Sequence, residues 1–315
     1  MTNQIARCLI IDEIHPSIFE MLQEIGIEPD YRPNILPGEV REALQGFDGL
    51  IVRSKMRITA ETLGLAEQLK FVARAGAGVD NIDAAALQER GIALIGANEG
   101  NSQAVGEHTL GMLLSLMRHI STSHQEVKQR IWLREENRGE EISGKTVGII
   151  GYGNMGQSLA KVLSGFGCRL LAYDRYCPDK INDLVESASL EDIQAEADIV
   201  SLHIPYTADN HRFADEAFFK AFSKKIWFLN TARGEVVDQG ALVSSLKEGK
   251  VKGAGLDVLE NEKLKTLSPD QKQHFDYLAS ASNVILTPHI AGWTHESYIK
   301  INQVLVAKIA QLSIS

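Results

Sequence analysis

An arginine, a glutamate and a histidine follow three successive apolar runs in this chain. Arg233 comes after residues 226–230, Glu262 after 253–257, and His289 after 284–287. These types suit a 2-keto or 2-hydroxy acid. A guanidinium can hold a carboxylate with its fixed fork of donors and polarise the neighbouring C2 oxygen. An imidazole can give that oxygen a proton as hydride arrives and remove it in reverse. A carboxylate on the other imidazole nitrogen orients the ring and favours its charged form. Asp257, at the end of the middle run, can meet a nicotinamide amide. Singly, each residue has a plainer reading: a surface salt-bridge arginine, a loop histidine bonded to backbone, a glutamate in a charged, solvated segment. Their joint placement favours chemistry.

Such chemistry needs a hydride carrier. Gly151-Tyr152-Gly153-Asn154-Met155-Gly156 lies between the apolar run 147–150 and a helical pattern of Leu159, Val162, Leu163 and Phe166. A second run, 169–173, ends in Asp174, 23 residues after the first glycine. Strand, glycines, helix, strand and acid together form a dinucleotide pattern. Gly151 permits a tight turn, Gly153 lets backbone approach a pyrophosphate, and Gly156 lets the helix pack on the sheet. The helix start presents N–H groups and a positive dipole end to phosphate. Asp174 can bond the adenosine ribose and repel a 2′-phosphate, which favours NAD over NADP.

The elements that position these groups alternate. Strands are expected at 7–11, 49–52, 71–73 and 93–95, and helices at 17–25, 39–44, 60–66 and 84–90. That alternation implies an α/β domain with a parallel sheet. Pro29, Pro33 and Pro37 mark an irregular connection. One long helix is expected from Ser102 to about Lys128. Six strands then follow, at 147–151, 169–174, 198–203, 226–230, 253–257 and 284–287. Helices fall at 155–166, 190–196, 216–222 and 238–247, which makes this part doubly wound. A last helix, 295–312, packs back on the first domain. The substrate domain is therefore discontinuous, residues 1–100 and 288–315, and the cofactor domain is 101–287.

A length of 315 residues suits two domains. Lys and Arg number 32 against 41 Asp and Glu, a net charge of −9. Proteins that cover nucleic acid with a broad face carry the opposite sign, so no nucleic-acid partner is expected. Cys8, Cys168 and Cys177 have no metal-ligand spacing. No metal is expected, and reduced thiols suit the cytoplasm. The run 8–11 ends at Asp12, far short of a signal-peptide core. The most apolar helix candidate, 110–117, is too short to span a bilayer, so no membrane partner is expected.

The stretches 74–83, 101–108, 203–207, 230–237, 253–262 and 287–293, with the glycine motif, resemble the D-isomer-specific 2-hydroxyacid dehydrogenase family over nearly the whole chain. The resemblance implies a Rossmann cofactor domain beside a flavodoxin-like substrate domain, a cleft that closes on substrate, and a homodimer built through the cofactor domain. The family's Arg, Glu and His fall on Arg233, Glu262 and His289. NAD is implied as cofactor, held by Gly151, Gly153, Asn154, Met155, Gly156, Asp174, His203, Pro205, Thr207, Thr231, Ala232, Asp257 and Gly292. The substrate loop falls on 75–79, where the N–H groups around Gly76, Ala77 and Gly78 can bind a carboxylate.

Ile51-Val52-Arg53-Ser54, Arg74 and Gly100-Asn101-Ser102 resemble the branch acting on D-3-phosphoglycerate and 3-phosphohydroxypyruvate. A phosphate beside a carboxylate needs a second cationic site, which Arg53 and Arg74 can supply with Ser54 and Asn101. The rival is a small unphosphorylated acid such as glyoxylate or hydroxypyruvate, with these arginines serving as framework. An NAD-sensing corepressor-type binding protein is a third reading. The chain ends soon after the last helix, so the C-terminal regulatory domains of some phosphoglycerate dehydrogenases are not expected. One departure is Lys263, where the family often has Pro after the acid. The long polar segment 263–283 leaves Glu260 and Glu262 as rival registers, and the family spacing favours Glu262.

Overall fold

Short β-branched runs alternating with amphipathic segments form two parallel sheets. The structure, a computed structural model, describes residues 6–176 and 181–312. Cys177 lies outside them. The chain divides into one unit of Met1–Asn101 with Trp293–Ser315 and a second of Ser102–Gly292.

The first unit contains β1 (Ala6–Ile10), α1 (Ser17–Glu24), β2 (Ile27–Tyr31), α2 (Val40–Ala43), β3 (Gly49–Val52), β4 (Phe71–Arg74), α3 (Ala84–Glu89) and β5 (Ala93–Gly96). The chain returns to it as α11 (His295–Ile309). The sheet order is β2-β1-β3-β4-β5, all parallel, which is the flavodoxin-like order. Strands covered on both faces bury side chains on both, as the central β3 does along its whole length. Cys8, Ile10, Ile51 and Phe71 meet Ile301, Leu305 and Ile309 of α11 on one face. Leu9, Leu50, Val52 and Val72 meet Val40 and Leu87 on the other.

Two expectations fail here. Pro29 lies inside β2 rather than in an irregular connection, opposite Cys8. That strand pairs on one side only, where a missing N–H costs no ladder bond. Residues 60–66 form turns, not a helix. The Thr59 and Thr62 hydroxyls accept each other's backbone N–H at 3.4 Å, as at a helix start, but the N–H groups of Gly64 and Ala66 then bond the carbonyls three residues back, those of Glu61 and Leu63, and the chain stays in turns. Leu63 and Ala66 are buried all the same, so the apolar spacing reflected burial rather than a helix.

The second unit opens with α4 (Ser102–Met117) and α5 (Ile120–Lys128). One continuous helix was expected. The break falls at His119, with φ 51. The Met117 carbonyl accepts the Glu140 N–H at 2.8 Å, so the incoming chain takes the acceptor that would have continued the helix. Then come β6 (Thr146–Ile150), α6 (Asn154–Leu163), β7 (Arg169–Tyr173), β8 (Glu186–Ser187), α7 (Leu190–Glu196) and β9 (Ile199–Leu202). Next are α8 (Glu216–Ala221), β10 (Ile226–Asn230), α9 (Gln239–Lys247), β11 (Val251–Leu256), α10 (Pro269–Ser280) and β12 (Val284–Leu286). The parallel order β12-β11-β10-β9-β6-β7-β8 is doubly wound, with its reversal between β6 and β9. It has seven strands where six were expected. The extra one, β8, is two exposed residues with no apolar signal. The polar segment 263–283 holds α10, started by Ser268 in a capping box with Pro269 in the first turn.

Residues 288–292 stay with the second unit, although the sequence boundary fell at 287. The reason is local: the N–H groups of His289, Ile290 and Ala291 all bond Asp257 at the end of β11.

The β6–α6 turn is tight. Gly151 has φ 93, and a Cβ on Gly156 would stand 2.1 Å from the Gly151 carbonyl oxygen. That contact is with backbone, so it does not yield cheaply. Gly156→Ala should cost about 1–3 kcal/mol of stability in urea unfolding. A loss within measurement error would show that α6 can slide.

Candidate functional site

Parallel strands end on one edge, so the loops after β6, β9, β10, β11 and β12 gather there. After β10, the buried Asn230 amide folds the turn. Its Nδ2 donates to the Arg233 carbonyl at 2.8 Å and its Oδ1 accepts the Ala232 N–H at 3.0 Å. A Cβ on Gly234 would fall 1.9 Å from the Leu259 carbonyl oxygen. The arginine turn therefore rests directly on the backbone after β11.

Asp257 lies there, 1% exposed. Its Oδ1 accepts the Thr287 hydroxyl at 2.5 Å and the Ile290 N–H at 2.9 Å, and its Oδ2 accepts the Ala291 N–H at 2.8 Å. The Asp257 carbonyl takes the His289 N–H at 2.8 Å. His108, on α4, bonds Thr287 Oγ1 through Nε2 at 3.0 Å. Wrapped around this acid, the loop holds His289 at φ 54. That conformation is uncommon for a residue with a side chain and marks an over-determined position.

His289 Nδ1 meets Glu262 Oε1 at 2.9 Å, both side chains being half-exposed. The Glu262 hydrogen bond raises the His289 pKa, and Arg233's charge opposes it. Glu260 is occupied elsewhere, on Arg212 at 3.0 Å. The register between the two glutamates thus resolves to Glu262. Arg233, Glu262 and His289 are brought together, with Nε2 of the imidazole left to act.

The glycine turn fits a diphosphate. A Cβ on Gly153 would meet nothing within 4 Å. No side chain caps α6, whereas Ser189, Asp215, Asp238 and Ser268 cap α7 to α10. The first-turn N–H groups of Asn154, Met155 and Gly156 suit an anion. Asp174 braces the turn itself, accepting the Tyr152 N–H at 2.7 Å and the Tyr176 N–H at 2.9 Å. His203 Nε2 pairs with Ser201 Oγ at 2.9 Å, and its buried Nδ1 has no partner among the described residues. Burial pushes this imidazole down to about 4, so it is neutral at physiological pH. Pro205 O accepts the Asn210 amide at 2.9 Å, and Thr207 caps a short 3-10 turn. Thr109 donates to Val105 O at 2.7 Å, so Thr231 must donate to Thr109, 3.0 Å away. The Thr231 oxygen keeps its lone pairs for a ligand. Ala232 sits in the Asn230-braced turn, and Gly292 ends the Asp257-bound loop.

In the first unit, Arg53 and Arg74 meet through backbone: Arg74 Nε donates to the Arg53 carbonyl at 3.2 Å. Arg74 then lies over Gly76, close to where a Cβ would stand. The Gly76 carbonyl accepts the Ala97 N–H at 3.1 Å, which anchors the turn holding Ala77 and Gly78. Ser54 is exposed. Asn101 Oδ1 is buried and meets no donor among the described residues. Sequence reasoning missed Asp12, Trp293 and Tyr298. Asp12 Oδ2 accepts the Arg53 N–H at 2.6 Å, and the Trp293 ring centroid lies 3.8 Å from the Arg53 guanidinium carbon. Asp12 follows β1, and that strand-end position was its available signal.

Burial raises the Cys8 and Cys168 thiols, which keeps both protonated. Among the described residues, no group of three or more His, Cys, Asp or Glu could hold a metal, and no helix is long and apolar enough to cross a membrane.

Residues 110–291 match the family model described as D-isomer specific 2-hydroxyacid dehydrogenase, NAD binding domain. The chain is 34% identical over 294 residues to the D-3-phosphoglycerate dehydrogenase of Methanocaldococcus jannaschii, covering 92% of this chain and 54% of that protein. It is 35% identical over 272 residues to the hydroxypyruvate reductase of Thermotoga maritima, covering 86% of each. A D-lactate dehydrogenase from Aquifex aeolicus, solved with NAD and lactic acid, gives a TM-score of 0.81 at 28% identity over 96% of this chain and 94% of that one. The chain spans about half the length of the phosphoglycerate dehydrogenases it matches.

An amide cannot replace the Asp257 carboxylate. Asn in either orientation turns an NH2 group against a backbone donor, leaving a buried N–H unmet. Asp257→Asn should lower stability by about 1–3 kcal/mol in urea unfolding. An unchanged midpoint would show that the His289 loop is held by other contacts.

Proposed function

Because the chain belongs to the D-isomer-specific 2-hydroxyacid dehydrogenase family, we propose that it transfers hydride between NAD(H) and a D-2-hydroxy or 2-keto acid. The supporting observation is the Glu262–His289 pair at 2.9 Å, on the sheet edge that also carries the uncapped start of α6. NAD, when bound, supplies or accepts the hydride at C2. Asn154, Met155 and Gly156 hold its pyrophosphate, Asp174 its adenosine ribose, and Thr231 and Asp257 lie on the strand ends where a nicotinamide would be read. Arg233 binds the substrate carboxylate and polarises the C2 oxygen. His289 Nε2 gives that oxygen its proton during reduction and takes it back during oxidation, and Glu262 stabilises the imidazolium formed between. Burial of the edge under substrate strengthens each of these charge interactions.

The substrate we assign is 3-phosphohydroxypyruvate and its product D-3-phosphoglycerate. Support comes from Arg53, whose guanidinium has no hydrogen bond or ion pair among the described residues. Hydroxypyruvate itself is the second reading, since the Thermotoga maritima hydroxypyruvate reductase and this chain align over 86% of each. A homodimer is part of the proposal. Ile120, Val127, Ile131, Leu133 and the 78%-exposed Trp132 form an apolar run on and after α5 that suits a second copy.

NADH oxidation followed with 3-phosphohydroxypyruvate, hydroxypyruvate and glyoxylate tests the assignment. The highest kcat/KM is expected for the phosphorylated acid. Preference for hydroxypyruvate would select the second reading, and no turnover of any would sink the enzyme. The acid–base role has its own test. Reduction needs His289 protonated, so turnover holds below its pKa and falls as pH rises through it. Glu262 raises that pKa. Glu262→Gln should therefore move the alkaline limb of the kcat/KM profile down by about 1–2 pH units. A limb that stays in place would remove Glu262 from the role.

A further inference from the structure

The Arg53 guanidinium is half-buried, and burial lowers its pKa. A cation so placed is usually met by a carboxylate. Here Asp12 acts on the guanidinium through its charge but makes no hydrogen bond to it, using Oδ2 on the backbone N–H groups of Arg53 and Lys55, at 2.6 and 3.4 Å. Among the described residues the guanidinium's own donors meet no acceptor. What it meets is a ring. Its carbon lies 3.8 Å from the Trp293 centroid and 5.8 Å from that of Tyr298.

All five guanidinium donors lie in its plane, so a ring stacked on the face uses none of them. The ring face restrains the guanidinium without taking up a hydrogen-bond donor, and so leaves its N–H groups for an oxyanion. The ring is itself held firmly. Trp293 packs on Tyr298 at 5.2 Å between centroids, and Tyr298 meets His15 edge-on at 5.5 Å. Asn302 of α11 donates to His15 O and Ser17 Oγ, at 2.9 and 3.0 Å. Thr294, next to Trp293, starts α11 in a capping box. The indole is 47% exposed, which is high for a tryptophan placed only for packing.

We propose that Trp293 is a positioning residue for substrate specificity, holding the Arg53 guanidinium flat so that its in-plane donors receive an oxyanion group borne by the hydroxy acid at the end remote from its carboxylate. The inference rests on reading the chain as a D-2-hydroxyacid dehydrogenase. A phosphate matches the paired donors of a fixed guanidinium, and an uncharged hydroxymethyl end gains little from them. An arginine freed from the stack would still carry its charge but would have to be ordered at each binding event.

Steady-state kinetics of the full chain with NADH provides the test. Trp293→Ala should raise KM for 3-phosphohydroxypyruvate about tenfold, the scale of a partly desolvated cation–π contact, while kcat falls less than about twofold. The rise for hydroxypyruvate should be at least about fivefold smaller. Trp293→Phe, which keeps a π face, should recover most of the loss. Equal KM changes for both acids, or no recovery in Phe, would overturn the inference. If Trp293→Ala does not fold, Trp293→Leu keeps the bulk without the ring face and gives the same contrast. If wild type turns over neither acid, the dehydrogenase reading fails separately. Calorimetric titration with 3-phosphoglycerate then decides the positioning role: weaker binding by Trp293→Ala than by wild type supports it, and equal Kd or no wild-type binding overturns it.

Discussion

A carboxylate that water cannot reach must be met by donors of the chain itself. Asp257 is such a group, at 1% exposure. Its hydrogen-bond donors are the Thr287 hydroxyl and the Ile290 and Ala291 N–H groups, all from one loop, with His108 Nε2 of α4 3.6 Å away. To deliver those donors the loop must curl around the acid, and His289 at its apex is carried into a left-handed conformation. That conformation costs about 1–2 kcal/mol for a residue with a Cβ. The imidazole's location is thus fixed by a charge one strand away. Glu262 reaches it from the β11 side, and Arg233 arrives on a turn that Gly234 allows to lie against the Leu259 carbonyl.

Much of this was legible in the sequence, because the signals are local. A glycine turn, an acid at the end of the next strand and a strand-end histidine depend on neighbours along the chain. What was hidden depends on remote partners. Nothing near Met117 announces that Glu140 will take its carbonyl and end α4. Pro29 argues against a strand until the strand is known to be an edge. Residues 60–66 had helical spacing, but that spacing reflects Leu63 and Ala66 packing in one cluster with Leu9, Leu50 and Val72 from distant strands.

The same division runs through the site. Glu260 and Glu262 were separable only by spacing in the sequence, and the Arg212–Glu260 pair separates them physically. Asp257 looked like a cofactor contact, yet the structure gives its carboxylate a prior task in shaping the loop. Asp174 is similar, since it braces the glycine turn through two backbone N–H groups. In both, the acid serves the backbone of the loop that carries the site. The Arg53–Trp293 stack was invisible, because its two halves are 240 positions apart in the sequence.

The return of α11 to the first sheet has a consequence for synthesis. Ile301, Leu305 and Ile309 cover the face formed by Cys8, Ile10, Ile51 and Phe71. Every strand of that sheet has been translated by Gly96, yet its cover is about 200 residues behind, some 10–40 s at ribosomal rates. The second unit, contiguous from Ser102 to Gly292, is complete before then. The part made first is therefore finished last, and for that interval the nascent chain carries an open apolar sheet face.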